Sequence, residues 1–267
     1  SNVAQVATNL DASTKYEYRL LQNDTNSEPE EFTTEDDIQL PNSGFEDWYT
    51  DSDGLPKPAK DASSSFWDCG NVNYFGKHIM TTQDDETALG QGSSVKMETQ
   101  ETMKIIAAGN IFTGTFERDG MGGILTLGRN FECRPNKLKG YYKYTSGKVS
   151  VSKGHLNEGE DDLCSLYIAL TDEQITVNTN KGIYFDPNSS AVIAYGSISD
   201  EESKGADSFK EFTVDLEYKD LKRIPKYIIV VASSSKYGDY MEGGKGSTMW
   251  LDDLELVYPK SMEEVRK

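Results

Sequence analysis

The sequence predicts an all-β protein: a two-sheet sandwich of jelly-roll type, preceded by a separate β-hairpin. Three observations carry this. Apolar residues recur at period two in short runs, not at the 3.6-residue spacing of helices. The 23 glycines punctuate those runs with turns. Helical stretches are confined to "DEQI" near Asp172 and "YKDLKR" near Asp220, each long enough for one turn.

In chain order, "LDASTKYEYRLL" alternates Tyr16, Tyr18 and Leu20, passes a polar turn near residues 23–29, and returns in a short strand around Phe32. A two-stranded unit is not stable alone, so it is expected to pack on the main domain or, through its open edge, on another copy. From Ile38 the strands expected are 94–98, 111–116, 138–144, 163–170, 191–196, 209–218, 227–233 and 248–258. Phe212, Val214, Leu216 and Tyr218 alternate with Glu211, Thr213, Asp215 and Glu217, the pattern of a strand with one buried face. "YIIVV" is apolar on both faces and belongs at the centre of its sheet. In "MWLDDLELVY", Trp250, Leu254, Leu256 and Tyr258 share a face with Asp252 at period two. A carboxylate there needs a cation, hydrogen-bond donors or water, because a buried unpaired charge is costly. The expected units are residues 1–36, 37–259 and a frayed or weakly helical tail, 260–267.

The net charge of −18 over 267 residues disfavours nucleic acid and anionic membrane surfaces, both of which would repel it. It suits a secreted or surface protein, outer membrane-attached or periplasmic, and suits calcium uptake. Cys69, Cys133 and Cys164 make no disulfide scaffold and no zinc or redox spacing; buried thiols are expected, with room for one pair. No run of about 18 apolar residues marks a membrane helix. No signal peptide is visible, so an export signal is expected upstream.

Two resemblances follow from particular residues. Leu10, Thr14, Tyr16 and Tyr18, with the Phe32-Thr33-Thr34 close, resemble the last two strands of a fibronectin type III domain, in which the tyrosine corner sits. "LPNSGFEDW" and "STMWLDDLELVY" resemble the opening and closing strands of galactose-binding-like carbohydrate-binding modules. With "SFWDCGN", "AGNIFTGTF", "KLKGYYKY" and "SSSKYGDYMEGGKG" they are similar, over residues 38–258, to the carbohydrate metabolism domain of Bacteroidetes surface proteins. That resemblance implies a jelly roll with a glycan as partner. It also implies a structural calcium held by Glu46 and Asp252, with the Gly44 carbonyl as a third ligand. The alternative is that Asp252 accepts N–H bonds with no metal.

For the glycan, the aromatic residues of the loops are the candidates. Sugar rings lie their C–H faces on flat aromatic rings, and their hydroxyls need amides and carboxylates. "FWDCGNVNYF" offers Trp67, Asp68, Asn71 and Tyr74; "SKYGDYMEGG" offers Lys236, Tyr237, Asp239 and Tyr240. Trp48 and Trp250 are expected in the core, and Tyr141 and Tyr167 on a concave sheet. No catalytic pair stands out among 45 acidic residues, and His78 and His155 stand outside any HExxH or triad pattern. "GMGGILTLG" lacks a following helix and the phosphate-binding Lys, and reads as a turn and strand entry. The expectation is non-catalytic glycan binding, with a glycoside hydrolase and a structural or adhesion module as alternatives.

Overall fold

The computed structural model describes residues 10–22 and 25–258; the expected C-terminal tail lies outside them. Two antiparallel sheets form the body of the main domain, and among the described residues four two-stranded ladders accompany them. The five-stranded sheet runs, edge to edge, Thr81–Asp84, Ser94–Glu98, Thr248–Val257, Lys137–Thr145, Ala206–Asp215. The larger sheet runs Ile175–Asn178, Gly122–Leu127, Asn110–Asp119, Tyr227–Ser233, Ser165–Thr171, Val192–Ser197, Glu217–Tyr218. Two short strands, Trp67–Asp68 and Arg129–Asn130, attach to Asn110–Asp119 and Tyr227–Ser233. "YIIVV" is central, as its two apolar faces require. The two helical turns expected near Asp172 and Asp220 are bends instead; Arg223 bonds both aspartates there.

The main core lies between the sheets. Leu138, Tyr142, Phe212, Val214, Met249 and Leu251 come from one side, and Leu166, Ile168, Leu170, Ile228 and Val230 from the other. Each such side chain contributes about 1.5–3 kcal/mol by leaving water. Alternate residues of the larger sheet point the opposite way. Phe112, Leu125, Leu127, Ala169, Val177 and Ile229 form a second apolar cluster on its outer, concave side. Two-sided burial therefore gives this sheet a core face and a face free to line a cavity. All three cysteines are buried and unpaired, so the pairing left open by the sequence does not form.

The segment that opens the domain lies along the strand that closes it. The Gln39 side chain both donates to the Leu256 carbonyl and accepts from its N–H, each at 2.8 Å. The Ser43 carbonyl accepts from Leu254 N–H at 3.0 Å. The closing strand departs from simple alternation. Lys139 pairs with Glu255 and Tyr141 with Asp252, so Asp253 and Leu254 together oppose Gly140. This β-bulge, with Asp253 at φ 46°, reverses the strand's facing. Met249 and Leu251 face the core before it, Leu254 and Leu256 after it. Trp250 and Asp252 consequently point outward, correcting the single-face reading. Trp250 is half-buried under Lys143 and Lys96, whose ammonium groups lie 4.3 and 5.4 Å from its ring centre. Trp48 packs against the edge of the main core.

The N-terminal hairpin pairs Lys15–Tyr18 with Glu30–Thr33. Tyr16 stacks on Phe32, with ring centres 5.8 Å apart, and its hydroxyl accepts the Asp11 N–H at 2.9 Å. Tyr18, Leu20 and Phe32 are exposed. An Arg134–Glu35 ion pair ties the base of the hairpin to the main domain.

Candidate functional site

The loop 234–247 places most of the candidate site. After the central strand it enters a short 3-10 turn, Gly238–Tyr240, and leaves through Met241 at φ 57°. Gly238 is required: a Cβ there would come within 2.4 Å of Ala108 Cβ. Below the turn the Glu242 carboxylate is fully buried. It accepts from the N–H groups of Lys153, His155 and Leu156 and pairs with His155 Nδ1 at 3.0 Å. Burial opposes its charge, but these bonds prevail and hold Glu242 below the usual carboxylate range. They also pin the His155 loop, whose ring stacks on Tyr237 at 4.3 Å and tilts against Tyr240 at 4.4 Å.

Tyr237 and Tyr240, backed by His155, form one wall of a cleft of about 420 Å³. Tyr184 joins it, 4.0 Å from Tyr240. Tyr167, Phe185 and Tyr195 form the floor, with Tyr167 stacked on Phe185 at 4.9 Å. Every ring rests on a neighbour, so the wall is ordered before any ligand arrives. Lys236 pairs with Asp200 at the edge, at 2.9 Å. Asp239 lines the cleft with no hydrogen bond or ion pair from a described residue, and burial pushes its carboxyl up to about 6.

Tyr237, Asp239 and Tyr240 thus meet in one place, while the other candidates do not join them. Trp67 is fully buried in the core, edge-on to Phe45, and its indole N–H donates to the Pro41 carbonyl. Asp68 is consumed by Lys57 at 2.7 Å and by the N–H groups of Cys69 and Phe116. Asn71 is buried; its amide donates to Pro56 and Thr81 carbonyls and accepts from Met80 and Thr81 N–H. Trp67 and Asn71 are out of a sugar's reach, Asp68 is taken up by protein partners, and all three serve to fix the Trp67 segment. Tyr74 sits beside a neighbouring cavity, under the Arg118 guanidinium at 4.0 Å. Tyr141 lies on the five-stranded sheet away from both cavities, whereas Tyr167 is on the concave side. Sequence reasoning missed Tyr184, Phe185, Tyr195 and His155. The adjacent pair in "GIYFD" was the available signal; His155 gave none until its Glu242 partner came from 87 residues away.

The expected metal residues converge on the outer side of the closing strand. A Cβ at Gly44 would lie 3.3 Å from Asp253 Oδ1 and 3.7 Å from Glu46 Oε1. Asp252 Oδ2 accepts Ala88 N–H, and Glu46 Oε1 accepts Ser93 N–H. Burial pushes Asp252 up to about 6, with the charges of Asp253 and Glu46 adding to it. Among the described residues no group of three or more His, Cys, Asp or Glu side chains is arranged to hold a metal unaided. A hard cation therefore fits only if carbonyl oxygens or water complete its shell.

Residues 35–257 match the family described as "Putative carbohydrate metabolism domain". The chain belongs to this family. A structure from Bacteroides thetaiotaomicron described as a "putative glycoside hydrolase" shares 24% identity at a TM-score of 0.64, over 93% of this chain and 80% of that one. A second with the same description, from Bacteroides vulgatus, shares 24% identity at 0.54, over 67% and 77%. At such identity the likeness establishes the fold of this carbohydrate metabolism domain. No curated protein matches it in sequence.

Proposed function

We propose that the Tyr184–Tyr237–Tyr240 cleft binds an oligosaccharide or polysaccharide chain without cleaving it. The observation that carries this reading is the meeting of aromatic side chains from separate loops around one recessed, unpaired carboxylate, Asp239. Sugar faces stack on the rings, and Asp239, Lys236 and the tyrosine hydroxyls bond the hydroxyl groups. Affinity per site is micromolar to millimolar. The test is a glycan array followed by titration of each hit. Tyr240→Ala should weaken binding about ten-fold or more at unchanged fold. Silence of the array at high protein concentration would defeat the reading and favour an adhesion module with a protein partner.

One observation favours hydrolysis as the second reading. A carboxyl raised to about 6 is suited to act as a general acid. Against it, the second acid lining the cleft, Asp200, is engaged by Lys236. Product release from a bound glycan, lost in Asp239→Asn, would establish hydrolysis.

Two further roles belong to the same proposal. The hairpin is the end of a fibronectin-like spacer that holds the domain away from a cell surface, its open edge available to a second copy. A calcium ion on Glu46, Asp252 and the Gly44 carbonyl clasps the opening segment to the closing strand.

A further inference from the structure

A larger cavity, of about 520 Å³, adjoins the aromatic cleft on the concave side of the larger sheet. Its floor is the second apolar cluster, including Phe112, Leu125, Leu127 and Val177. Three separate hairpin turns rim it and present Phe75, Met103 and Met121, which are 94%, 84% and 55% exposed. Large apolar side chains so exposed at one cavity mouth mark a binding surface. Two of these turns also break the local rules. Phe75 sits at φ 52°, and Met103 and Lys104 form a two-residue turn at φ 50° and 64°. Asn and Gly adopt this conformation most readily, and other residues are held there at a cost of about 1 kcal/mol or more each. Side chains kept at a strained apex despite that cost are candidates for contact with a ligand.

The cavity borders the cleft: Ser165, Tyr167, Lys236 and Asp239 line both. One half of the combined site is aromatic and polar, the other apolar and methionine-rich. We propose that the apolar half receives the aglycone of a glycoside whose sugar occupies the aromatic cleft, so that the ligand is an amphiphilic glycoconjugate. This rests on the glycan reading of the cleft and extends it. Flexible methionines accommodate either an alkyl chain or an aromatic ring. Asp239 and Lys236 stand at the junction, where the glycosidic bond of such a ligand would lie.

The experiment is calorimetric titration of the full chain with methyl, octyl and 4-nitrophenyl β-D-galactopyranosides and β-D-glucopyranosides, each below its micellar concentration. With the sugar held constant, octyl or nitrophenyl in place of methyl should tighten binding about ten-fold or more, since several carbons leave water. The better of the two identifies the aglycone as aliphatic or aromatic. The rim variant Met103→Glu/Met121→Glu, exposed enough to leave folding intact, should abolish that gain and keep the methyl glycoside affinity. Tyr240→Ala should weaken methyl and octyl glycosides by the same factor. Equal affinity for methyl and octyl glycosides, or a gain that survives in the rim variant, overturns the proposal and leaves the cleft reading standing. A chain that binds the neutral apolar dye N-phenyl-1-naphthylamine but no glycoside of any length overturns the cleft reading, and this proposal with it.

Discussion

At each of the two candidate sites one aspartate carries electrostatic tension. Asp239 and Asp252 both have carboxyls raised to about 6 by burial. The sign of the effect on stability is fixed by linkage. A carboxyl raised above its unfolded value of 3.8 favours the folded state while it is protonated, and that contribution is lost as pH rises from about 4 through about 6. Asp239→Asn should therefore leave stability near pH 4 unchanged and raise it at pH 7.5 by about 1–2 kcal/mol, reduced from the full shift because the carboxyl faces an open cleft. Denaturant melts at the two pH values check this, and equal effects at both would refute it. Asp252 separates two accounts of the outer site. If calcium binds there, about millimolar calcium raises the melting temperature of the wild type and not of Asp252→Asn. If backbone N–H groups such as that of Ala88 are its only partners, calcium changes neither, and Asp252→Asn is stabilising at pH 7.5.

The closing strand shows what sequence can and cannot specify about an element. "YIIVV" was legible with its bounds, because two-sided apolarity has one meaning in a sheet. The burial of Phe212, Val214 and Leu216 was equally legible, but the expected single strand 209–218 breaks after Asp215, where Glu217–Tyr218 crosses to the larger sheet. The facing of Trp250 and Asp252 was not, because a bulge adds one residue without altering composition. The cleft was half legible for a related reason. Tyr237, Asp239 and Tyr240 share one loop and were found together. Tyr184 and Tyr195 reach the cleft, and His155 reaches the tyrosines behind it, from elsewhere in the chain, and long-range convergence leaves no local mark. Trp67 was misread because an aromatic beside Asp and Asn looks the same whether those polar groups face a sugar or the backbone. The bulge makes its own demand on its partner strand. A Cβ at Gly140 would meet Leu254 Cδ2 at 2.7 Å and Phe212 Cε1 at 3.0 Å. Gly140→Val should cost about 2–3 kcal/mol, seen as a lowered melting temperature; an unchanged melt would mean that the strands can shift to absorb it.

At the scale of the whole molecule, the hairpin and the sandwich are separate investments. No described residue before Leu40 enters either apolar cluster, and the family match starts at residue 35. Deleting residues 1–36 should leave the melting transition within a few degrees of the full chain, since the loss is confined to surface contacts such as Arg134–Glu35. A collapse of the transition would show that the hairpin is part of the folding unit. The same deletion removes exposed Tyr18, Leu20 and Phe32, and sedimentation of the two forms reports whether that edge joins copies.

The buried cysteines have a further consequence. Burial pushes the Cys69 and Cys164 thiols up to about 12. At neutral pH only about one in 10⁵ of each would then be the reactive thiolate. Alkylating reagents can reach these sulfurs only when the sandwich opens, so the chain carries an internal clock: its labelling rate records how often the native state comes apart.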